Sequence, residues 1–247
     1  MVPHWMGRTQ ILLGEEKVEK LISANVLVVG LGGVGGIAAE MVARAGVGKM
    51  TIVDADVVEA TNRNRQIPAL ISTDGELKSE ALAKRLKDIN ADLDLTVISE
   101  YLRDEKTFEL LDNNRFDYVL DCIDTLSPKV YLITACIERR IPIVSSMGAG
   151  GRIDPSHVKI ADISKTKICH LAKYVRKRMH RLGYFQGVQC VYSTEIPEYE
   201  RVIATPDDTK KKSVIGTISY MPAIFGCTVA SIAIRGLAER KIKKKKE

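Results

Sequence analysis

The sequence predicts an α/β fold in which a doubly wound, mostly parallel sheet is followed by an apolar helix near the C-terminus. Three observations lead to this prediction. Short apolar runs alternate with helical patterns, a glycine-rich loop follows the first run, and an aspartate ends or closely follows two others. The length of 247 residues and the hydrophobic share of 45% suit one globular domain with a sizeable core.

Five apolar runs are predicted as parallel strands, because each is short and has the composition of a strand buried on both faces. They cover 25–30 (NVLVVG), 49–54 (KMTIVD), 94–99 (DLTVIS), 118–121 (YVLD) and 141–146 (IPIVSS). The predicted helices are a lead-in over 8–23, then 37–45, 78–90, one that begins at 107, and 128–139. The alternation of strands and helices therefore extends to about residue 146.

The residues after 146 follow a different pattern. We predict a strand or two in 153–163, a basic helix within 165–181, a loop-rich stretch up to 212 and an apolar helix over 214–237. The last segment is long enough to span a bilayer, but it contains Pro222, three glycines and Arg235. We therefore predict a buried or dimer-interface helix and no membrane association.

Cysteine usage and charge restrict the function classes. The five cysteines form no C-x-x-C pair, which argues against a disulfide scaffold and a cysteine-rich zinc site and favours a reducing cytoplasm. The first 14 residues lack the apolar core of a signal peptide. The net charge of +6 is concentrated at 165–181, 210–212 and 241–246, which suits either a polyanion such as RNA or ordinary solvated surface.

A glycine-rich loop lies between the first predicted strand and the next helix. Such glycines let the backbone approach phosphates, and the helix N-terminus adds N–H donors and a favourable dipole. The loop consists of Gly30, Leu31, Gly32, Gly33, Val34, Gly35 and Gly36. Asp54 ends the second strand, where a Rossmann-like fold places an acid on ribose hydroxyls. NAD and ATP fit these features equally well, and nearby Asp56 is either a second such acid or a loop carboxylate.

Three further features favour ATP. Arg63 and Arg65 follow the ribose acid, and two guanidinium groups there suit the charge of a triphosphate. Lys78 begins the next predicted helix, from which it could reach the phosphates. Asp124 lies just beyond the fourth strand, and a carboxylate that faces phosphates needs a cation between them. We predict an ATP site in which Asp124 binds the associated Mg²⁺, although each residue alone also fits an ordinary surface charge.

Cys190 is the candidate nucleophile of the chain. A thiol at this position could attack an acyl-adenylate and form a thioester. An equal alternative is that Cys190 is a small core residue. Cys122 follows a strand and is predicted to be buried.

The chain resembles the E1-like adenylating enzymes of the ThiF type, which include ubiquitin-activating enzymes and the bacterial activators of sulfur-carrier proteins. The resemblance is carried by the glycine loop, Asp54-x-Asp56, Asn62-x-x-Arg65-Gln66, Lys78 and Asp121-x-x-Asp124. It implies that Asp54 holds ribose, that Arg65 and Lys78 hold phosphates and that Asp124 works with magnesium. It places Asp56, Asn62 and Gln66 in the same nucleotide site. It also implies a homodimer in which Arg8 of the partner subunit reaches ATP.

The second half of the chain resembles the tRNA threonylcarbamoyladenosine dehydratase subfamily of these enzymes. The matching segments are 145–155, 162–166 and 190–195, and the paired C-x-x-C motifs of many sulfur-carrier activators are absent from the sequence. The resemblance implies that ATP adenylates the threonyl carboxylate of the modified adenosine at position 37 of tRNA. The ureido group then closes onto the activated carbonyl and expels AMP. This scheme needs no enzyme thiol, so it leaves Cys190 dispensable.

These inferences divide the single domain, residues 1–247, into three parts. We assign a nucleotide-binding half to 8–146, a substrate and dimer half to 147–240 and a basic tail to 241–247. The basic helix would then hold tRNA phosphates.

Three alternatives are weighed against tRNA modification. The first is adenylation of the C-terminal glycine of a ubiquitin-like sulfur-carrier protein, and a sulfur-transfer protein partner is open under either adenylation hypothesis. The second is an NAD-dependent oxidoreductase, which has no use for Arg65, Lys78 and Asp124 together. The third is a non-catalytic nucleotide-binding protein, which would tolerate replacement of Asp124.

Overall fold

A seven-stranded sheet forms the centre of the protein, and helices cover both of its faces. The computed structural model describes residues 2–103, 105–198, 202–204 and 213–240. The strands are β1 (Asn25–Val29), β2 (Lys49–Val53), β3 (Asp94–Ile98), β4 (Tyr118–Asp121), β5 (Ile143–Ser146), β6 (Val158–Asp162), β7 (Gln189–Ser193), β8 (Val202–Ala204) and β9 (Ser213–Ile215).

The sheet is mostly parallel, as the sequence predicts. Its strand order is β3-β2-β1-β4-β5-β7-β6, and β6 pairs with β7 as its antiparallel edge strand. The first five predicted strands are confirmed, although β5 begins two residues later than expected. Strands β8 and β9 form a separate antiparallel pair. The order reverses between β1 and β4, so this fold opens its ligand crevice at the carboxyl ends of those strands.

Helices pack on the two faces of the sheet in two groups. α2, α3, α4 and α8 contribute buried residues to the core on one face, and α5, α6 and α7 contribute to the core on the other. The helices are α1 (Gly7–Leu13), α2 (Glu15–Ile22), α3 (Gly35–Arg44), α4 (Lys78–Ile89), α5 (Glu105–Asn113), α6 (Leu126–Glu138), α7 (His170–Arg181) and α8 (Tyr220–Glu239).

Three sequence predictions need correction. The lead-in is two helices, because Gly14 adopts a φ of +83° between them. The stretch predicted as loop-rich contains β7, whose apolar run of only three residues is too short to stand out. The apolar helix begins at Tyr220, and Ser213–Ile215 is strand β9. Pro222 lies in the first turn of that helix, where its missing N–H costs no hydrogen bond. The basic runs 210–212 and 241–246 lie outside the described residues.

Helix α8 packs inside the protein despite its apolar composition. By length and composition alone it could cross a membrane, yet more than half of it is buried. It packs on α3, α2 and the sheet. A Cβ at Gly226 would lie 2.5 Å from the carbonyl oxygen of Val34, which shows how closely α8 approaches the residues before α3. The helix therefore supports the glycine loop from behind.

Candidate active site

The predicted site residues meet at the carboxyl edge of β1, β2 and β4. Gly30 follows β1, Asp54 follows β2 and the 122–124 segment follows β4. Because these strands are parallel and adjacent, their carboxyl ends lie side by side. The fold thereby brings residues that are distant in sequence to one crevice.

The glycines of the loop have different roles. Gly30 has a φ of +86°, and a Cβ at Gly35 would lie only 1.7 Å from the Gly30 carbonyl oxygen. A Cβ at Gly33 would lie 2.9 Å from Cβ of Pro222 in α8. At Gly32 the nearest atom would be Nε2 of Gln66, at an ordinary 3.8 Å. Gly30, Gly33 and Gly35 are thus required by packing, whereas Gly32 leaves space on the loop surface where a ligand can approach the backbone.

Asp54 ties the glycine loop to the end of β2. Its Oδ2 accepts a 2.6 Å hydrogen bond from the Leu31 N–H, and its Oδ1 accepts a 2.8 Å bond from the Asp56 N–H. Burial raises the pKa of Asp54, and these two N–H donors oppose the rise. Each carboxylate oxygen has a second lone pair, so Asp54 can also accept hydrogen bonds from ribose hydroxyls.

Lys78 lies beside this acid at the start of α4. Its side chain is 8% exposed, and Nζ donates a 2.9 Å hydrogen bond to Oδ2 of Asp56. The hydroxyl of Tyr101 donates to the other Asp56 oxygen at 2.9 Å, and this bond raises the pKa of Tyr101. Tyr101 was not predicted as a site residue, since nothing in its local sequence links it to Asp56. One N–H of the Lys78 ammonium serves Asp56, and an ammonium has three.

The predicted arginine loop reaches the glycine loop. Asn62 is buried at the end of a short 3₁₀ helix, and its Oδ1 accepts the Glu59 N–H at 3.2 Å. Arg65 is half-buried, and Nη1 donates to the carbonyl oxygen of Thr61 at 3.0 Å and to Asn64 at 2.8 Å. Gln66 is buried beside Gly32.

Two features of this loop fit a nucleotide ligand. The buried Oε1 of Gln66 has no hydrogen-bond partner within the described ranges, although buried polar atoms normally have one. The open space at Gly32 adjoins this amide. Arg63 is exposed and donates to the Ala60 carbonyl, so its contribution is less defined.

Asp124 is exposed beyond β4, in a segment held by a buried ion pair. Asp121 and Lys129 are both completely buried and lie 2.6 Å apart. Nζ of Lys129 also donates to Ser145 Oγ at 3.2 Å and to the Ser146 carbonyl at 2.9 Å, so all three of its N–H groups are used.

The same ion pair supports the segment that carries Asp124. The other oxygen of Asp121 accepts the Ile123 N–H at 3.1 Å, one residue before Asp124. The role of Lys129 was not predicted from the sequence. The signal that could have revealed it is that Lys129 is a single cation in the apolar part of α6.

Cys190 and Arg8 lie apart from this crevice. Cys190 is fully buried on β7, separated from β4 by β5, and burial raises the pKa of its thiol strongly. Its Sγ contacts the Val188 carbonyl oxygen at 3.6 Å. A buried, protonated thiol is a poor nucleophile, so the geometry favours the core alternative. Arg8 is exposed on α1, where Ile11 and Leu12 are 87% and 82% exposed.

Helix α7 carries the basic surface. Its buried face consists of Ala172, Val175 and Met179, and the opposite face is basic. Nη1 of Arg178 donates a 2.7 Å hydrogen bond to Oγ of Ser127, three residues beyond Asp124. The basic face of α7 therefore adjoins the carboxyl edge that holds the site.

Comparisons with known proteins agree with this arrangement. The model of the ThiF family matches residues 7–247. The tRNA threonylcarbamoyladenosine dehydratase of Bacillus subtilis is 40% identical over 85% of this chain and 80% of its own length. The crystal structure of the Escherichia coli tRNA threonylcarbamoyladenosine dehydratase in complex with ATP is 35% identical, with a TM-score of 0.84, and the match covers 94% of this chain and 93% of that one.

A sulfur-carrier activator matches a smaller part of the chain. The sulfur carrier protein ThiS adenylyltransferase of Escherichia coli is 34% identical over 58% of this chain and 59% of its own length. The dehydratases therefore match a larger share of the chain than the sulfur-carrier activator does.

Proposed function

The chain belongs to the ThiF family, and we propose that it catalyses the ATP-dependent dehydration of N6-threonylcarbamoyladenosine in tRNA to its cyclic form. The threonyl carboxylate attacks the α-phosphorus of ATP and pyrophosphate leaves. The ureido group then closes onto the activated carbonyl and AMP leaves, so one ATP is consumed for each water removed. The match to tRNA threonylcarbamoyladenosine dehydratases across both halves of the fold carries this proposal.

The residues at the carboxyl edge have defined tasks in this reaction. Gly32 and the N-terminus of α3 receive phosphates, since α3 has no acidic residue in its first turn and no side-chain cap. Asp54 accepts hydrogen bonds from the ribose. Lys78 and Arg65 neutralise the phosphate charge that grows as pyrophosphate leaves. Asp56 and Asn62 keep these groups in place through the bonds described above. The buried Oε1 of Gln66, which has no hydrogen-bond partner among the described residues, would accept a hydrogen bond from the nucleotide.

Asp124 is the proposed ligand of the Mg²⁺ that accompanies ATP. Within the described residues, no group of three or more His, Cys, Asp or Glu side chains could hold a metal by itself. An exposed carboxylate at the phosphate edge fits an ion that takes its remaining ligands from phosphate oxygens and water. The ion would neutralise phosphate charge during adenylation.

The charge of α7 and the exposed side chains of α1 support tRNA and a second protomer as partners. The basic face of α7 would contact tRNA phosphates, which suits a cytoplasmic enzyme. The exposed apolar residues of α1 support a homodimer in which Arg8 of one protomer serves the other protomer's ATP. Among the residues that the structure describes, no feature favours a sulfur-transfer partner. Cys190 has no part in the reaction as we write it.

Pyrophosphate release tests this function. We expect release only with tRNA that carries threonylcarbamoyladenosine, prepared from cells that make the modification. Matched tRNA from cells that lack it is the control. Equal release with both tRNAs would defeat the proposal, and release driven by a ubiquitin-like carrier protein would restore the sulfur-carrier alternative.

The assigned ATP site is tested by Lys78→Ala. Loss of a preorganised cation at the phosphates predicts a fall in kcat of about 100-fold or more. Lys84→Ala, on an exposed face of the same helix, is the matched control because Lys84 is exposed and pairs with Glu76 near the surface. Equal activity of the two variants would show that Lys78 is not part of the ATP site. Circular dichroism checks that both variants fold.

A further inference from the structure

Arg152 is a buried cation, and two of its guanidinium nitrogens have no hydrogen-bond partner among the described residues. It follows β5 and is 4% exposed. Neither Nε nor Nη1 meets a hydrogen-bond acceptor in the described parts of the chain, and both atoms are fully buried. The guanidinium is always charged, and an unsatisfied buried donor is costly, so this arrangement is expected where a ligand completes it.

Glu195, an acid that neighbours Arg152, forms hydrogen bonds with backbone groups. Its carboxylate accepts the N–H groups of Ile153 and Asp154, each at 3.0 Å. Burial lowers the pKa of Arg152, and the neighbouring Cys169 and Glu195 oppose this shift. Arg152 therefore lies close to Cys169, which is the N-cap residue of α7.

The N-terminus of α7 also lacks an anion. This twelve-residue helix has no acidic residue in its first turn and no side-chain cap. Its first backbone N–H groups have no partner within the helix, and the helix dipole favours negative charge there. The loop after β5 adjoins this terminus, since a Cβ at Gly148 would lie 3.9 Å from Sγ of Cys169 and 4.0 Å from Cβ of Leu171. Two independent features thus favour an anion at one place.

We infer that Arg152 and the N-terminus of α7 form a second oxyanion site, which binds a backbone phosphodiester of the tRNA substrate beside the modified base. The inference rests on the proposed function. ATP phosphates do not account for the site, because they belong above the loop after β1, two strands away, which is roughly 10 Å. The carboxyl end of β4 lies between, where the acyl group must meet the α-phosphorus. The threonyl carboxylate is therefore held at the α-phosphorus, and the oxyanion that remains for Arg152 is a phosphodiester, which suits the planar guanidinium fork.

The substitution Arg152→Met tests this site by separating stability from binding. Removal of an unpaired buried charge predicts a free energy of unfolding equal to or above that of the wild type. The same change should weaken binding of modified tRNA, measured without ATP, by about 10-fold to 100-fold, because one charged bidentate contact is lost. The Kd for ATP should stay within twofold. Arg115→Met is the matched control, at an exposed position on the opposite edge of the sheet.

Two tRNAs test whether the bound oxyanion is a phosphodiester. An equal loss of affinity with modified and unmodified tRNA supports the phosphodiester, whereas a loss confined to modified tRNA overturns that assignment. Arg152→Lys keeps the positive charge without the planar guanidinium fork. Its affinity for tRNA should therefore lie between those of the wild type and Arg152→Met. Unchanged tRNA affinity in Arg152→Met overturns the inference, and so does loss of folding, which would give the guanidinium a structural partner.

The failure of this inference is distinguishable from failure of the proposed function. Wild-type pyrophosphate release with modified tRNA is measured first, and its absence defeats the proposed function. Normal wild-type release together with an unimpaired Arg152→Met defeats only the second oxyanion site.

Discussion

Two buried cations near the carboxyl end of β5 are held in opposite ways. Lys129 directs all three ammonium N–H groups to protein oxygens, one of them on the buried Asp121. Arg152 has two buried guanidinium nitrogens with no acceptor in the described residues. Lys129 is fully buried and Arg152 is 4% exposed, so solvent compensates little of either charge. The hydrogen bonds of Lys129 stabilise the fold. The unsatisfied nitrogens of Arg152 instead mark the place where we infer that a ligand binds.

The two regions in which these cations lie differ in the same way, since one has its hydrogen bonds formed and the other has donors without acceptors among the described residues. At the proposed nucleotide site, Asp54 accepts the N–H groups of Leu31 and Asp56, and Lys78 donates to Asp56. This network holds the glycine loop in one arrangement without a ligand. On the β5–α7 side, donors are left open beside an uncapped helix end. We infer that the enzyme is preorganised for ATP and completed by its larger substrate.

The largest expected effect comes from breaking the paired cation. Asp121→Ala leaves the Lys129 charge buried without its counter-ion, which predicts a loss of about 3–5 kcal/mol in the free energy of unfolding. Urea denaturation measures this loss. Arg152→Met, at the unpaired cation, should show no loss under the same conditions.

A double substitution provides the control for this comparison. Asp121→Leu with Lys129→Met removes both charges and keeps apolar volume, so it should be far less destabilising than Asp121→Ala. If the double variant were as unstable as the single one, shape and not charge would explain the cost. The contrast between Lys129 and Arg152 would then lose its basis.

The glycine loop offers a smaller test of the same separation between fold and ligand. Gly35→Ala places a methyl group 1.7 Å from the Gly30 carbonyl oxygen, so it should cost about 1–3 kcal/mol of stability or more. Gly32→Ala meets its nearest atom at 3.8 Å and should fold normally. It should instead weaken ATP binding, measured by calorimetry, because the methyl group occupies the approach to the backbone. Equal stability of the two variants would contradict this division of roles.

The outcome for the fold shows where local sequence suffices. β1, β2 and β4 are continuous apolar runs buried on both faces, and their positions were predictable from that pattern alone. β7 and β9 were not, because the apolar run in each has only three or two residues between polar flanks. Their pairing with β5, β6 and β8 is decided by tertiary contacts that no local window contains.

Local sequence also limits what could be predicted of the site. Asp54 and Lys78 were predicted as site residues because they occupy fixed positions at the ends of predicted elements. Their assigned tasks stay predictions until the variants are measured. Lys129 and Arg152 were missed because their significance depends on what surrounds them in space. A buried cation with partners and one without them are indistinguishable in the sequence.

The smallest expected effect compares two neighbouring cations on α7. Arg176 donates to Thr166 and to the Ile163 carbonyl, whereas Lys177 is exposed on the basic face. Arg176→Met should therefore cost about 1–2 kcal/mol of stability through lost hydrogen bonds. Lys177→Met should leave stability unchanged and reduce the slope of log K for tRNA against log salt by about 0.9, the loss of one phosphate contact. An unchanged slope would show that the basic face of α7 does not contact tRNA at Lys177, and the β5–α7 region would then bind its substrate through the buried site alone.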